Sequence, residues 1–326
     1  MRTKRSAFFL AVAALVCLVP MTALALVSPY NQNFETLSPV SPTALSNDGW
    51  LVYGNVFTPA GDYLYGYGAF PAPNDGSGFC QIDGGQGGIE QGDQQLVIYS
   101  DYNNADHASG NYIEANTFQE MTVDASNVGT AWKFNFDAKR GNIEALSTAM
   151  AFIKTLDPSN GYATTNFISV DMTTIPDTWS SYSLSISIDP SLSGQILQIG
   201  FSNMATLYQS SGIFYDNINF IEDDLSAAPD ASVLASARLG QNYPNPFNPS
   251  TRIEFSIEEP GSVDLAVYDL AGRKVATLEQ GTFAAGNYHV NWNGTTDSGL
   301  PAATGQYSYV LKTANGMVAR SMVLLK

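Results

Sequence analysis

The chain is short of cysteine, histidine and positive charge. Two cysteines occur in 326 residues, and Cys17 lies in the N-terminal apolar run, so Cys80 stands alone and an internal disulfide is excluded. Cys80 reads as a small buried hydrophobe. The two histidines, His107 and His289, belong to no nucleophile or zinc motif, for neither G-x-S-x-G nor H-E-x-x-H occurs. Lysine and arginine together number 14 against 30 acidic residues, a formal net charge of −16. Such a surface repels phosphate backbones and anionic lipid, which argues against nucleic-acid binding and favours cations. Beyond the N-terminus no apolar run reaches the length of a membrane helix, and 3.6-residue periodicity is nearly absent.

What is present begins with an export signal. Arg2, Lys4 and Arg5 precede an apolar run over 7–19, followed by Ala23-Leu24-Ala25 as a small-residue cleavage site, so residues 1–25 read as a secretory signal peptide. Ala14, three residues before Cys17, stands where a lipoprotein signal usually has Leu. The mature chain is expected to start near Leu26, with no transmembrane segment and a net charge of −19 from 11 basic and 30 acidic residues. Residues 26–238 hold 23 acidic and 5 basic side chains, whereas 239–326 hold 7 and 6, so the first part carries nearly all the excess charge.

Period-two alternation recurs throughout, which predicts an all-β protein. Trp132, Phe134 and Phe136 alternate with polar residues, as do Tyr182, Leu184, Ile186 and Ile188. Roughly ten short strands are expected in 26–222, a number and spacing that suit a two-sheet jelly-roll sandwich. The Gly, Asp and Gln-rich stretch 71–94 reads as a long loop. Residues 223–240 turn acidic and then Ala/Ser-rich, an interdomain linker with a weak helical option over 232–238. Residues 241–326 predict a second domain of about seven strands, with Ala271-Gly272 as a hairpin turn.

That second domain opens with Asn242, Tyr243, Pro244, Asn245, Pro246, Phe247, Asn248 and Pro249 before Ser250-Thr251. The prolines push Tyr243, Asn245 and Asn248 out of the helical region, so the segment is expected to be a stiff, ordered lead-in strand. Val267-Tyr268-Asp269-Leu270-Ala271-Gly272, Trp292-Asn293-Gly294, Gly305-Gln306-Tyr307 and Met322-Val323-Leu324-Leu325-Lys326 follow. The whole resembles the Ig-like domain shared by flagellar hook-capping proteins and the C-terminal sorting domains of type IX secretion cargo. The resemblance implies recognition by an outer-membrane secretion translocon and delivery to the cell surface or medium.

Residues 26–222 resemble bacterial carbohydrate-binding jelly rolls through Asn33-Phe34-Glu35, Gly49-Trp50, Trp179-Ser180-Ser181-Tyr182 and Tyr215-Asp216-Asn217-Ile218. The resemblance implies one structural calcium ion at Glu35 and Asp216. Alternation independently sets Asp216 on one face with Phe214, Ile218 and Phe220, and a carboxylate among buried residues needs a partner or a metal. Backbone N–H groups or Lys133 could satisfy it instead.

Tyr63, Tyr65 and Tyr67 alternate with Leu64 and Gly66, which projects three phenols from one face as a stacking platform for sugars or as core packing. Asp101, Tyr102 and Asn103 offer polar partners on a nearby loop. Two carboxylates suffice for a glycosidase, so Glu90, Glu114, Glu120 or Glu144 could serve, but no pair is singled out. The sequence therefore predicts a secreted, non-catalytic, glycan-binding sandwich on a sorting tail. A structural or adhesive surface protein is the alternative, and a polysaccharide-active enzyme ranks third.

Overall fold

The structure is a computed structural model and describes residues 25–73, 78–144, 146–223, 237–269, 273–314 and 316–325. The signal peptide, the Ala271-Gly272 turn and most of the linker lie outside the described residues. The first half contains β1 (Tyr30–Gln32), β2 (Leu51–Phe57), β3 (Tyr63–Pro71), β4 (Cys80–Gly84), β5 (Gln94–Ile98), β6 (Tyr112–Thr122) and β7 (Ala131–Arg140). It continues with β8 (Thr148–Asp157), β9 (Ala163–Asp171), β10 (Ser180–Ser187), β11 (Ile196–Ala205) and β12 (Ile213–Asp223). The second half adds β13 (Ala237–Leu239), β14 (Thr251–Ile257), β15 (Gly261–Asp269), β16 (Lys274–Phe283), β17 (Gly286–Trp292), β18 (Gly305–Thr313) and β19 (Gly316–Leu324). The only α-helical turn among the described residues is Ala44–Asn47, so the expected all-β class holds.

Ten strands form one antiparallel sheet in the order β16-β15-β18-β19-β9-β8-β11-β6-β2-β3. β10-β7-β12-β5-β4, with β1 on β12, form a second sheet, and β13-β14-β17 form a third. Alternation explains the burial. Trp132, Phe134 and Phe136 point in from β7 to meet Val52, Ala115, Ile153, Ile199 and Phe201 from the large sheet. Each such side chain contributes on the order of 2 kcal/mol by leaving water. In the second half Ile253, Phe255 and Trp292 of the small sheet pack against Leu265, Val267, Tyr309 and Leu311 of the large one. Each half is thus a sandwich, and the two share a layer.

The shared layer is continuous because β19 pairs with β9, with Val318 opposite Ile168 and Met317 opposite Ser169. Val318 leans on the second core and Ile168 on the first, so both cores lie on the same side of the large sheet. The side chains of alternate parity form one outer face that crosses from one half to the other.

Four expectations are corrected. The stretch 71–94 is not all loop, because Cys80 and Ile82 turn inward from β4 at the sheet edge, paired with β5. The linker ends earlier than expected, since Ala237 to Leu239 pair with β14 and exclude a helix there. The lead-in over 242–250 is no continuous strand. Only Tyr243 and Phe247 form bridges, to Arg252 and Leu324, with bends between them. Lastly, the alternation along β12 breaks at a bulge between Asp216 and Asn219, where Asn217 takes φ +48°. Tyr215, Ile218 and Phe220 therefore face the core, while Asp216 lies on the opposite face of its sheet, buried by other means.

Candidate functional site

Asp216 sits opposite Asp137 on β7 and is fully buried. Its Oδ1 accepts the Asn217 amide at 2.6 Å, while Oδ2 is enclosed without a partner. Lys133 does not fill that role, for it lies opposite Ile221, beyond the bulge. Burial, reinforced by the charges of Glu35 and Asp137, pushes the Asp216 carboxyl up to about 7. Glu35 Oε1 accepts the amides of Asp93 and Gln94 at 2.9 and 2.8 Å, which fixes the start of β5. Asp137 is saturated by Ser181, Gln91 and Asn217 at 2.6, 2.8 and 2.8 Å.

An oxygen-seeking cation fits the orphaned Asp216 Oδ2 with a Glu35 oxygen, and backbone carbonyls or water would complete its shell. Among the described residues no three acidic, histidine or cysteine side chains converge as a preformed cage.

The tyrosine trio divides. Tyr65 pairs with Val56 and Tyr67 with Gly54, but Leu64 is an extra residue, so Tyr63 pairs with Phe57 and turns to the other face. Tyr67 lies on Gly54, where a Cβ would come within 2.2 Å of its ring, and its hydroxyl donates to Asp101 at 2.7 Å. Tyr65, still 42% exposed, donates to Asp106 at 2.6 Å. Tyr102 bonds Ser211 and the Gln209 carbonyl, and the Asn103 amide bonds Asp101 Oδ1. His107 is buried beneath Tyr102 and Tyr208, and burial lowers its pKa. These groups mostly satisfy one another. They fasten the loop before β6 to the edge of the large sheet, and the expected three-ring platform does not form.

Tyr63 instead joins the outer face of the large sheet, hydrogen-bonded to Tyr53 and edge-on to Phe57 at 5.8 Å. β6 supplies that face with Glu114, Asn116, Phe118 and Glu120, β11 with Gln198, Gly200 and Ser202, and β8 with Phe152 and Lys154. Phe118 and Phe152 are buried yet belong to neither core. They flank Gly200, where a Cβ would meet the Thr117 carbonyl oxygen at 2.4 Å and the Phe118 Cβ at 2.7 Å, so the close approach of β11 to β6 needs glycine. Lys154 Nζ stands 5.1 Å over the Phe152 ring. Burial lowers the Lys154 pKa, which the charges of Glu114 and Glu120 oppose.

Polar groups on this face are left incomplete. Asn55 donates to Glu114 at 2.6 Å and Gln198 to Glu120 at 2.6 Å, which orients both amides with nitrogen toward a carboxylate. Their carbonyl oxygens, and Ser202 Oγ, then have no partner, although the residues are only 8%, 1% and 3% exposed. An unsatisfied buried acceptor costs about 1–3 kcal/mol. Two of the three orphaned atoms are pure acceptors, so they suit a ligand rich in hydroxyl donors.

Of the residues singled out from sequence, Tyr65, Tyr67, Asp101, Tyr102 and Asn103 come together as a fastened loop, Glu35 and Asp216 as a candidate ion site, and Tyr63 elsewhere. The outer-face set of Tyr53, Asn55, Lys154, Gln198 and Ser202 was missed. The signal was present in β6, where Glu114, Asn116 and Glu120 alternate with Ile113, Ala115 and Met121.

Residues 245–317 match the family described as FlgD Ig-like domain. No curated protein matches the chain. Among solved structures the chain is similar to the CBM22-1 xylan-binding domain from Paenibacillus barcinonensis Xyn10C, at 11% identity over 63% of this chain and 100% of that one, with a TM-score of 0.34. A cyclase from Fischerella sp. TAU matches at 13% identity over 60% of this chain and 98% of that one, TM-score 0.35. The arabinose-bound MgGH51 α-L-arabinofuranosidase matches at 11% identity over 60% of this chain, TM-score 0.36, and the chain spans 27% of its length. Likeness at these levels carries no functional argument, and the fold rests on its own strand pairing.

Proposed function

We propose that the protein is a secreted, surface-delivered, non-catalytic binding protein whose N-terminal sandwich holds a glycan on the outer face of the large sheet. The observation that carries this reading is the set of orphaned acceptors on Asn55, Gln198 and Ser202 beside Tyr53, Tyr63 and Lys154. Polyhydroxyl ligands supply donors for the acceptors and apolar faces for the rings. The two β6 carboxylates do not suit a glycosidase pair. Glu114 and Glu120 stand six residues apart on β6, roughly 20 Å at ~3.3 Å per residue, whereas glycosidase pairs lie about 5–9.5 Å apart.

Glycan-array and calorimetric titrations with soluble xylan and β-glucan test the reading. Binding is expected to fall about tenfold or more in Tyr53→Ala and Gln198→Leu and to persist in Tyr65→Phe, with no reducing sugar released. Absence of any glycan binding, or binding indifferent to Tyr53 and Gln198, would overturn it.

Delivery through the C-terminal half is the second part of the reading. Asn242 and Phe247 are buried, the former bonded to Thr251 and the latter against Trp292, whereas Tyr243 and the three prolines are exposed. The buried pair supports the fold and the exposed residues are available to a translocon. Tyr243→Ala is expected to lower surface delivery without lowering stability, and unchanged delivery would count against this part. One structural calcium at Asp216 and Glu35 completes the proposal.

The adhesive reading keeps one observation in its favour. β3 is an edge strand of nine residues without a charge, exposing Tyr63, Leu64, Tyr65 and Phe70. Such edges template pairing with other chains. Sedimentation of the full chain would reveal self-association if this edge is used.

A further inference from the structure

The outer face does not stop where the first half stops. Leu51, Phe118, Gly200, Phe152, Ser169, Met317, Lys312 and Asp264 are successive register partners across eight adjacent strands from β2 to β15. Directly opposed residues project to the same side, so this row forms one unbroken line, roughly 34 Å long at ~4.8 Å per strand. Where the halves meet, the line dips into a groove of about 90 Å³, lined by Met150, Ser169 and Asp171 from the first half and by Lys312, Ala314 and Met317 from the second. Lys312 Nζ sits 5.7 Å over the Tyr268 ring, which resembles the Lys154–Phe152 arrangement farther along the sheet. Asp264 Oδ1, next in the row, is another enclosed acceptor without a partner.

We infer that the C-terminal half is part of the binding surface. The groove between β9 and β18 forms a distal subsite for further units of a linear polysaccharide already seated on Tyr53, Asn55 and Gln198. Lys312 donates to hydroxyl or ring oxygens there, Asp171 accepts, and the Met150 and Met317 thioethers pack on the sugar faces. The inference rests on the glycan-binding reading and extends it, since a module now assigned to transport would contribute to affinity for long chains.

Calorimetry on the full chain tests it with xylohexaose against xylotriose, and laminarihexaose against laminaritriose as a second pair. The expected result is that the hexamer of one pair binds about tenfold more tightly than its trimer, and that Lys312→Ala reduces the hexamer's advantage while trimer affinity is unchanged. Ala314→Trp, placed at an exposed position of the groove, is expected to do the same by filling it, and a thermal melt shows that each variant is folded. Equal binding of both lengths, or a length advantage untouched by both variants, overturns the inference and leaves the glycan reading standing. Failure of every oligosaccharide to bind, in the wild type as well, overturns both.

Discussion

Asp216 allows a sharp thermodynamic prediction. Its carboxyl titrates at about 7 in the metal-free fold against an ordinary 3.8, with burial the main cause. Between those values the native state binds more protons than the unfolded chain, so stability is retained below about pH 4 and lost as pH rises through 7. At ~1.36 kcal/mol per pH unit the loss is on the order of 4 kcal/mol, a fall in Tm of roughly 10 °C. Asp216→Asn keeps an acceptor for the Asn217 amide and removes the charge. In chelator, the variant is expected to match wild type at pH 4 and to exceed it by a few kcal/mol at pH 8. Calcium should close most of that gap. An ion at a hundred times its Kd stabilises wild type by about 2.7 kcal/mol and leaves the variant unmoved. Urea unfolding of both proteins at four pH values, with calcium and with chelator, gives the comparison, and the difference between them cancels the other titrating groups. Parallel pH profiles in chelator would refute the claim of a strained carboxylate. Identical responses to calcium would refute the ion site.

Three further outcomes follow from the packing. Cys80 is buried and its thiol is pushed up to about 12, so Ellman's reagent should leave Cys80 unmodified in the native protein and modify it in urea. Gly54→Ala should cost about 1–3 kcal/mol in chemical denaturation, because its Cβ would strike the Tyr67 ring and displace it from Asp101. Phe247→Ala should cost about 3–5 kcal/mol, since Phe247 is 1% exposed against Trp292, whereas Tyr243→Ala, at an 82% exposed residue, should change stability by less than about 0.5 kcal/mol.

Much of the fold was legible where side chains alternate without interruption. Trp132, Phe134 and Phe136, or Ile253, Phe255 and Ile257, announce a strand and its buried face together. The reading failed where one residue breaks the period. Leu64 as an extra residue in β3 moved Tyr63 away from Tyr65 and Tyr67, and Asn217 in β12 turned Asp216 out of the core, and neither bulge has a composition of its own. β4 was hidden because only Cys80 and Ile82 point inward from a polar stretch. The outer face was hidden for another reason. Its polar residues read as the wet side of ordinary strands, and their meaning depends on neighbours far apart in sequence, such as Asn55 with Glu114 and Gln198 with Glu120.

The pairing of β9 with β19 also sets an order of events. β19 follows every other described strand in the chain, yet it lies in the interior of the large sheet, between β18 and β9. Until it is in place, the first sandwich presents β9 as an open rim with unpaired backbone groups, and β18 presents another. Synthesis delivers the N-terminal half first, so that rim exists for as long as the remaining residues take to arrive and fold. A frameshift or proteolytic nick confined to 316–324 would therefore do more than shorten a tail. It would leave both halves with adhesive borders, and the nascent chain passes through that same vulnerable form each time it is made.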